Sequence, residues 1–179
     1  MDLTVVIGGA WLVFWVYWLV RSAGAKRSSG RRHRPPGLMI AILAIILLRV
    51  FSGAGKAGLP APALQVVGAV LVFAGLGLAV WARVYLGRNW GMPMSVKEEP
   101  ELVTTGPYRY VRHPIYTGIV LAMVGTGVAV AYYWLLLAAA IGAYFLYSAR
   151  VEERTLVESF PAQYPPYRAR TKMLVPFVL

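Results

Sequence analysis

The fold is decided by residues 114–149, which read PIYTGIVLAMVGTGVAVAYYWLLLAAAIGAYFLYSA and contain no charged side chain. One helix over these residues would be about 54 Å long at about 1.5 Å per residue, whereas the hydrocarbon core of a bilayer is about 30 Å thick. Two short spans joined by a tight turn fit that thickness better. Gly125, Thr126 and Gly127 weaken a helix, and the aromatic residues at 132–134 suit a membrane interface. We therefore predict spans at about 115–130 and 134–148, with the turn between 125 and 133.

Three further apolar runs precede this hairpin. We predict spans at 3–20, 37–54 and about 63–82, because each approaches the roughly 20 apolar residues that cross a membrane. The chain is 59% hydrophobic and 14% charged, which excludes a disordered chain and an ordinary soluble domain. The predicted fold class is an all-α polytopic membrane protein with about five transmembrane helices, the last two forming a short helical hairpin, plus a cytoplasmic C-terminal helix and tail. Residues 1–179 then form a single integral membrane domain, with three N-terminal spans in 1–82.

The basic residues predict the orientation of these spans. The formal net charge is +11, from 18 Lys and Arg against 7 Asp and Glu. With five spans, 16 of the 18 basic residues fall on one side, and only Arg49 and Lys56 lie elsewhere. The positive-inside rule makes that side cytoplasmic, so in the cell's inner or plasma membrane the N-terminus lies outside and the C-terminus inside.

The same placement removes the need for a nucleic-acid partner, because topology and contact with anionic membrane lipids account for the basic residues. No basic residue precedes the first apolar run, so we expect that run to be kept and not cleaved as a signal peptide. The chain has no cysteine and only two histidines, His33 and His113, so we predict no metal site.

Arg112, His113 and Pro114 lie at the N-terminal end of the fourth predicted span, here called its mouth. A proline suits the first helical turn, and the backbone N–H groups there, beside Arg112 and His113, form a natural anion site. Simpler interpretations stay open. The Arg-His pair is typical of topology and headgroup contact, nearby tyrosines are typical of an interfacial belt, and Gly118 is typical of close helix approach.

Two adjacent carboxylates, Glu152 and Glu153, follow the fifth predicted span against the surrounding basic excess. They predict either a solvated helix face paired with Arg150 and Arg154 or a set of acceptors for a polar ligand. We expect the fifth span to continue through them as an amphipathic helix. The tail beyond, which reads YPPYR at 164–168, is either a lid packed over a membrane-surface pocket or a segment lying along the interface.

The two blocks together resemble a known family. G-x-Y-x3-R-H-P-x-Y-x-G at 106–118, followed after the hairpin by E-E-x2-L-x3-F-x3-Y-x2-Y at 152–167, resembles the isoprenylcysteine carboxyl methyltransferase family, and the related phospholipid N-methyltransferases are similar over the same stretch. The resemblance covers about residues 84–177. It implies an integral membrane enzyme whose cofactor, S-adenosylmethionine, sits in a cytoplasm-facing pocket, and whose lipophilic substrate enters from the bilayer. The chain is compact for this family, and nothing in it names the methyl acceptor.

The resemblance makes residues 83–179 the cofactor-binding catalytic half. Tyrosines there would stack on adenine or supply hydroxyls, the backbone at 113–115 would hold the cofactor carboxylate, and Glu152 or Glu153 would accept hydrogen bonds from ribose or ammonium. The predicted cofactor-binding residues are Tyr108, His113, Pro114, Ile115, Tyr116, Gly118, Glu152, Tyr164, Tyr167 and Arg168.

The predicted catalytic residues are Arg112 and Glu153. Arg112 would hold a substrate carboxylate bidentately and aim its oxygen at the methyl group. Transfer to a carboxylate, such as a prenylcysteine-like one, needs alignment and exclusion of water more than acid–base chemistry. A lipid amine would instead have to lose a proton, to a glutamate or to His113.

Two other functional classes stay open at the level of sequence. A membrane reductase of the sterol-reductase type would use NADPH, whose 2′-phosphate the cations Arg168, Arg170 and Lys172 could bind. A non-catalytic lipid-binding protein would need neither cofactor. Ligand binding separates the three hypotheses.

Overall fold

The computed structural model describes residues 2–22, 61–90 and 101–175 of the chain. The predicted second span, 37–54, lies outside the described residues. Within them the protein is helical, and two short 3-10 turns, Gly87–Asn89 and Gly106–Arg109, lie on either side of the gap at 91–100. The described residues form five α-helices: α1 Leu3–Ser22, α2 Pro62–Leu86, α3 Pro114–Ala129, α4 Tyr133–Ser159 and α5 Tyr164–Arg170.

The predicted all-α polytopic fold is confirmed. Helices α1, α2 and α4 are each long and apolar enough to cross a membrane, and α3 is a shorter apolar helix of 16 residues. The predicted break in the long apolar run is also confirmed, because α3 ends at Ala129 and α4 begins at Tyr133. The turn is held by short-range backbone bonds, with the Trp134 N–H donating to the Ala131 carbonyl over 3.1 Å. The last two apolar helices therefore form the expected hairpin.

Helices α2 and α3 run antiparallel along a seam of small residues. On α2, Gly68 and Gly75 are seven residues apart, and each faces the backbone of α3 near Gly125 and Gly118, which have the same spacing. A Cβ atom added at Gly75 would lie 2.5 Å from the Gly118 carbonyl oxygen and 2.5 Å from the Ala122 nitrogen. A seven-residue repeat keeps one stripe of each helix facing its partner. Without side chains at these positions, the two backbones come into direct contact.

Helix α1 contacts the α2–α3 pair near each end of that pair. At one end the Trp11 indole N–H donates to the Thr126 hydroxyl over 3.0 Å, inside the apolar core. At the other end the Arg83 guanidinium is almost fully buried beside the Trp90 ring, 4.7 Å from its centroid, and donates to the Arg21 carbonyl. The C-terminal ends of α1 and α2 therefore lie together, at the same end of the bundle as the start of α3.

Helix α4 changes character along its length. Its first part is the apolar partner of α3, and the charged residues begin at Arg150 and continue to the end of the helix at Ser159. The expected continuation of the last span as a helix carrying Glu152 and Glu153 is thus present. After a short turn, α5 begins at Tyr164 and leads the chain back towards the mouth of α3. This return of the chain brings the C-terminal tail next to the start of α3 and the charged part of α4, where the candidate site lies.

Candidate functional site

Arg112 lies at the centre of a polar network at the mouth of α3. Its Nε donates to Glu153 Oε1 over 2.6 Å, and its Nη1 donates to the carbonyl oxygens of Arg168, over 3.2 Å, and of Thr171. The Arg112 and Glu153 side chains are only 8% and 4% exposed. Arg168 approaches Glu153 from the surface, with 3.4 Å between Nε and Oε2. One guanidinium therefore joins the mouth of α3, the end of α4 and the C-terminal tail.

His113 lies between the two carboxylates. Its Nδ1 is 3.5 Å from Glu152 Oε2, and its Nε2 is 3.6 Å from Glu153 Oε1. Burial acts to lower the pKa of His113, but the two neighbouring carboxylates outweigh burial, and the pKa is raised above its ordinary value. The imidazole is thus a proton-holding group placed between two acceptors.

An aromatic stack supports the second carboxylate. The Tyr116 ring is parallel to the His113 ring at 5.4 Å and to the Phe145 ring at 4.3 Å. Its hydroxyl donates to Glu152 Oε1 over 2.5 Å. The Glu152 side chain is nevertheless 24% exposed, so this carboxylate is held in place and still reachable by a ligand.

Residues 171–174, here called the strap, pair with the mouth of α3 through backbone groups. The Arg112 N–H donates to the Lys172 carbonyl over 2.9 Å, and the His113 N–H donates to the Met173 carbonyl over 3.0 Å. The Thr117 hydroxyl donates to the Leu174 carbonyl over 2.6 Å. Since the His113 N–H is used by the strap and Pro114 has none, Ile115 carries the remaining amide of the backbone site predicted at 113–115.

Two tyrosines of α5 anchor the tail below the strap. Tyr164 is fully buried, and the Tyr167 hydroxyl donates to the Tyr108 carbonyl over 2.7 Å. Burial raises the pKa of Tyr167 to about 12, so its hydroxyl remains protonated and able to donate. The Tyr108 ring is itself buried. Of the two tail structures that the sequence left open, these contacts favour a packed tail, and its role as a lid stays a prediction.

The structure brings most of the predicted site residues into one cluster and places one elsewhere. Arg112, His113 and Tyr116 meet the two carboxylates directly, and Arg168 reaches them from the tail. Gly118 instead faces Gly75 on α2, the close helix approach that the sequence offered as its simpler interpretation. Pro114 is buried at the first turn of α3, with Ile115 beside it.

Sequence reasoning did not single out Phe145 or Thr117. It offered a packed lid as one interpretation of the tail around Lys172–Leu174 but did not predict the backbone pairing of the strap. Phe145 stands in a uniformly apolar run, where no local signal separates it from its neighbours. Thr117 lies inside the block at 106–118, between two residues that were singled out, and could have been found there. The strap acts mainly through backbone carbonyls, which every residue type carries, so its sequence holds no signal for the pairing.

The sequence of the chain matches the model of a known protein family. The family model described as phospholipid methyltransferase matches residues 64–163, more than half of the chain. The matched stretch runs from the start of α2 to the residue before α5, and includes Arg112, His113 and both carboxylates.

Individual relatives match over shorter stretches. A methanethiol S-methyltransferase of Bradyrhizobium diazoefficiens is 45% identical over 69 residues, which is 38% of this chain and 26% of that protein. The protein-S-isoprenylcysteine O-methyltransferase B of Arabidopsis thaliana is 31% identical over 115 residues, 62% of this chain and 58% of that protein. The cobalt-zinc-cadmium resistance protein CzcN of Cupriavidus metallidurans is 31% identical over 104 residues, 56% of this chain and 48% of that protein. The chain thus spans less than two thirds of the length of each.

Proposed function

Because the chain belongs to the phospholipid methyltransferase family, we propose that it is an integral membrane enzyme that transfers the methyl group of S-adenosylmethionine to a lipophilic small acceptor. The observation that carries the proposal is the buried cluster in which Arg112 and His113 meet Glu152 and Glu153. The cluster lies where α4 changes from apolar to charged. A water-soluble cofactor and a membrane-dissolved acceptor both have access to that level.

The side chains of the cluster fit this cofactor, which carries an ammonium, a sulfonium and one carboxylate and is therefore a net cation. Glu152, partly exposed, can accept charge-assisted hydrogen bonds from an ammonium or ribose hydroxyls. Two buried polar atoms, His113 Nε2 and Tyr164 Oη, have no hydrogen-bond partner among the described residues, and an unpaired buried polar atom is costly. Polar groups of a bound ligand would satisfy such atoms. The cofactor, when bound, supplies an electrophilic methyl group.

In this proposal Arg112 is a positioning residue. Its Nε and Nη1 already hold Glu153 and two tail carbonyls, so its main task is to fix the carboxylate and close the tail over the site. The buried Tyr164 and Tyr167 then keep water away from the reacting atoms. Catalysis would rest on alignment of the two reactants in a dry site.

The acceptor is proposed by class: an apolar molecule carrying a carboxylate, a thiol or an amine. Relatives named for O-methylation and for S-methylation match this half of the chain. A carboxylate needs no proton removal, whereas an amine must lose one, and His113 between its two glutamates is the group placed to accept it. By the positive-inside rule, we propose that residues 83–179 present the site to the cytoplasm.

The test is methyl transfer from labelled S-adenosylmethionine, by the purified chain in micelles, to a panel of prenylcysteine carboxylates, thiols and lipid amines. We expect transfer to at least one apolar acceptor. Glu152→Gln should lower kcat/KM by about tenfold or more, the cost of a lost hydrogen bond to a charged group. The matched control is Glu158→Gln, because Glu158 is exposed on the same helix, and it should retain wild-type activity.

Binding calorimetry with S-adenosylhomocysteine and with NADPH separates this proposal from the reductase hypothesis. Binding of S-adenosylhomocysteine that weakens in Glu152→Gln supports the methyltransferase. Tight binding of NADPH without binding of S-adenosylhomocysteine, and without transfer to any acceptor, would overturn it.

A further inference from the structure

We propose that a basic cleft between the end of α4 and the C-terminal tail is a binding site for a phosphate group, of the kind carried by anionic lipid headgroups. The cleft has a volume of about 350 Å³. Its polar lining consists largely of cations, and no carboxylate side chain of the described residues lines it. The cations are Arg112, Arg150, Arg168, Arg170 and Lys172. Arg112 and Arg168 border both this cleft and the cluster proposed for methyl transfer, but the cleft calls for an anionic ligand, whereas the cofactor is a net cation.

The charge of the cleft is largely unneutralised. Arg112 and Arg168 share Glu153 behind the cleft. Arg150, Arg170 and Lys172 are exposed and form no ion pair with any carboxylate among the described residues. Cations gathered without a counter-ion repel one another, and an anion bound between them removes that repulsion. Phosphate, with several acceptor oxygens, can pair with more than one of them at once.

The position of the cleft favours a lipid as the source of the phosphate. Leu146, on the last apolar turn of α4, lines one wall, and Arg150, one turn further along, lines the same cleft. Headgroups lie at the level where a span changes from apolar to charged, and basic residues at that level attract anionic lipids. Met173 extends the apolar lining on the opposite, tail side. The phosphate of a bound lipid would thus contact the cations, and the first acyl carbons of the same lipid would contact Leu146 and Met173.

The cleft is unsuited to the cationic cofactor proposed above. A sulfonium and an ammonium would be repelled by the cleft's cations and attracted by Glu152 and Glu153. The two sites nevertheless share a structural link, because Lys172 belongs to the strap that pairs with Arg112. A phosphate held by Arg150 on α4 and by Arg170 and Lys172 on the tail would fasten the strap to the membrane-spanning part.

The test is thermal unfolding of the full chain in nanodiscs, which needs no methyl-transfer activity. Three samples are compared at equal ionic strength: phosphatidylcholine alone, phosphatidylcholine with phosphatidylglycerol, and phosphatidylcholine with inorganic phosphate in solution. We expect phosphatidylglycerol to raise the wild-type Tm by about 3 °C. The triple variant Arg150→Gln/Arg170→Gln/Lys172→Gln should lose that rise.

The control variant removes the same number of charges outside the cleft, at the exposed residues Arg21, Arg109 and Arg154, and should keep the rise. An equal, cleft-dependent rise with inorganic phosphate would identify a phosphate site filled from solution. If both triple variants lost the Tm increase equally, the attraction to the lipid would be diffuse. If neither phosphatidylglycerol nor inorganic phosphate raised the Tm, there would be no site. Either result overturns the proposal. If the cleft triple variant does not fold, Arg150→Gln alone, on α4 and outside the strap, makes the same comparison.

Discussion

The α2–α3 seam and the Arg112 network are both closely packed, but opposite means hold them together. The seam depends on missing side chains, since Gly75 and Gly118 bring two backbones into contact. The network depends on particular side-chain atoms, since Arg112 Nε and Glu153 Oε1 must meet at 2.6 Å. The seam therefore tolerates no added volume, whereas the network tolerates no lost polar group. This difference separates the part that supports the fold from the part that is proposed to carry the chemistry.

The largest effect is expected at the seam, from Gly75→Leu. A Cβ atom there would already lie 2.5 Å from α3 backbone atoms, and backbone cannot move aside as a flexible side chain can. We expect a loss of at least ~3 kcal/mol in the free energy of unfolding, measured as loss of monodisperse protein in micelles and a lower Tm.

Gly77→Leu is the matched control for that variant. Gly77 lies on the same helix, and a Cβ atom added there has no neighbour within 4 Å. The control should unfold at nearly the wild-type temperature. If the two variants were equally unstable, helix propensity and not the seam would explain the loss.

The next largest effect is expected in the network, from a double-mutant cycle of Arg112→Met and Glu153→Gln. Each single variant removes the main partner of a buried charge, which costs about 3 kcal/mol. In Arg112→Met, Glu153 keeps only the longer contacts to Arg168 and His113. The double variant should lose less than the sum of the two, because neither charge is then left alone. Thermal unfolding measures the cycle, and limited proteolysis of the tail reports release of the strap. Additive losses would show that Arg112 and Glu153 act independently.

The smallest effect is expected from the titration of His113. The pKa of His113 is raised in the folded protein. The folded protein therefore binds the imidazole proton more tightly than the unfolded protein does. Its contribution to stability is therefore complete below the ordinary pKa of 6.5 and is lost as the pH rises through the raised value. The Tm difference between wild type and His113→Gln should shrink from about pH 6 to about pH 9. A difference that stayed constant over this range would contradict the assignment.

The sequence predicted those parts of the fold that depend on length, apolarity and charge. Residues 114–149 are too long and too apolar for one span, and the structure breaks them after Ala129. Pro62 and Pro114 each stand in a first helical turn. The grouping of Arg112 with the two glutamates was implied by the family resemblance, and the predicted topology is consistent with it because it places both blocks on one side of the membrane.

Other features could not be predicted, because they depend on which residues meet across the fold. The sequence offered close helix approach as one interpretation of Gly118, but only the shared seven-residue spacing on two helices could have indicated Gly75 as its partner. The multiple engagements of Arg112 depend on carbonyls of Arg168 and Thr171, and a carbonyl is common to all residue types. The roles of the site residues in binding and catalysis stay predictions.

The strap has a consequence for how the protein is made. Arg112 bonds to the carbonyl of Thr171 across 59 residues of sequence, so the network closes only after both helices of the hairpin and α5 have been synthesised. Until α4 has been synthesised, the charge of Arg112 lacks Glu153, 41 residues further along the chain, and must stay hydrated. Their positions beside the start of α3 and in the charged part of α4 allow this, since neither has to wait unpaired in the middle of the bilayer. The order of synthesis thus makes closure of the tail carbonyls onto Arg112 a later step than its pairing with Glu153.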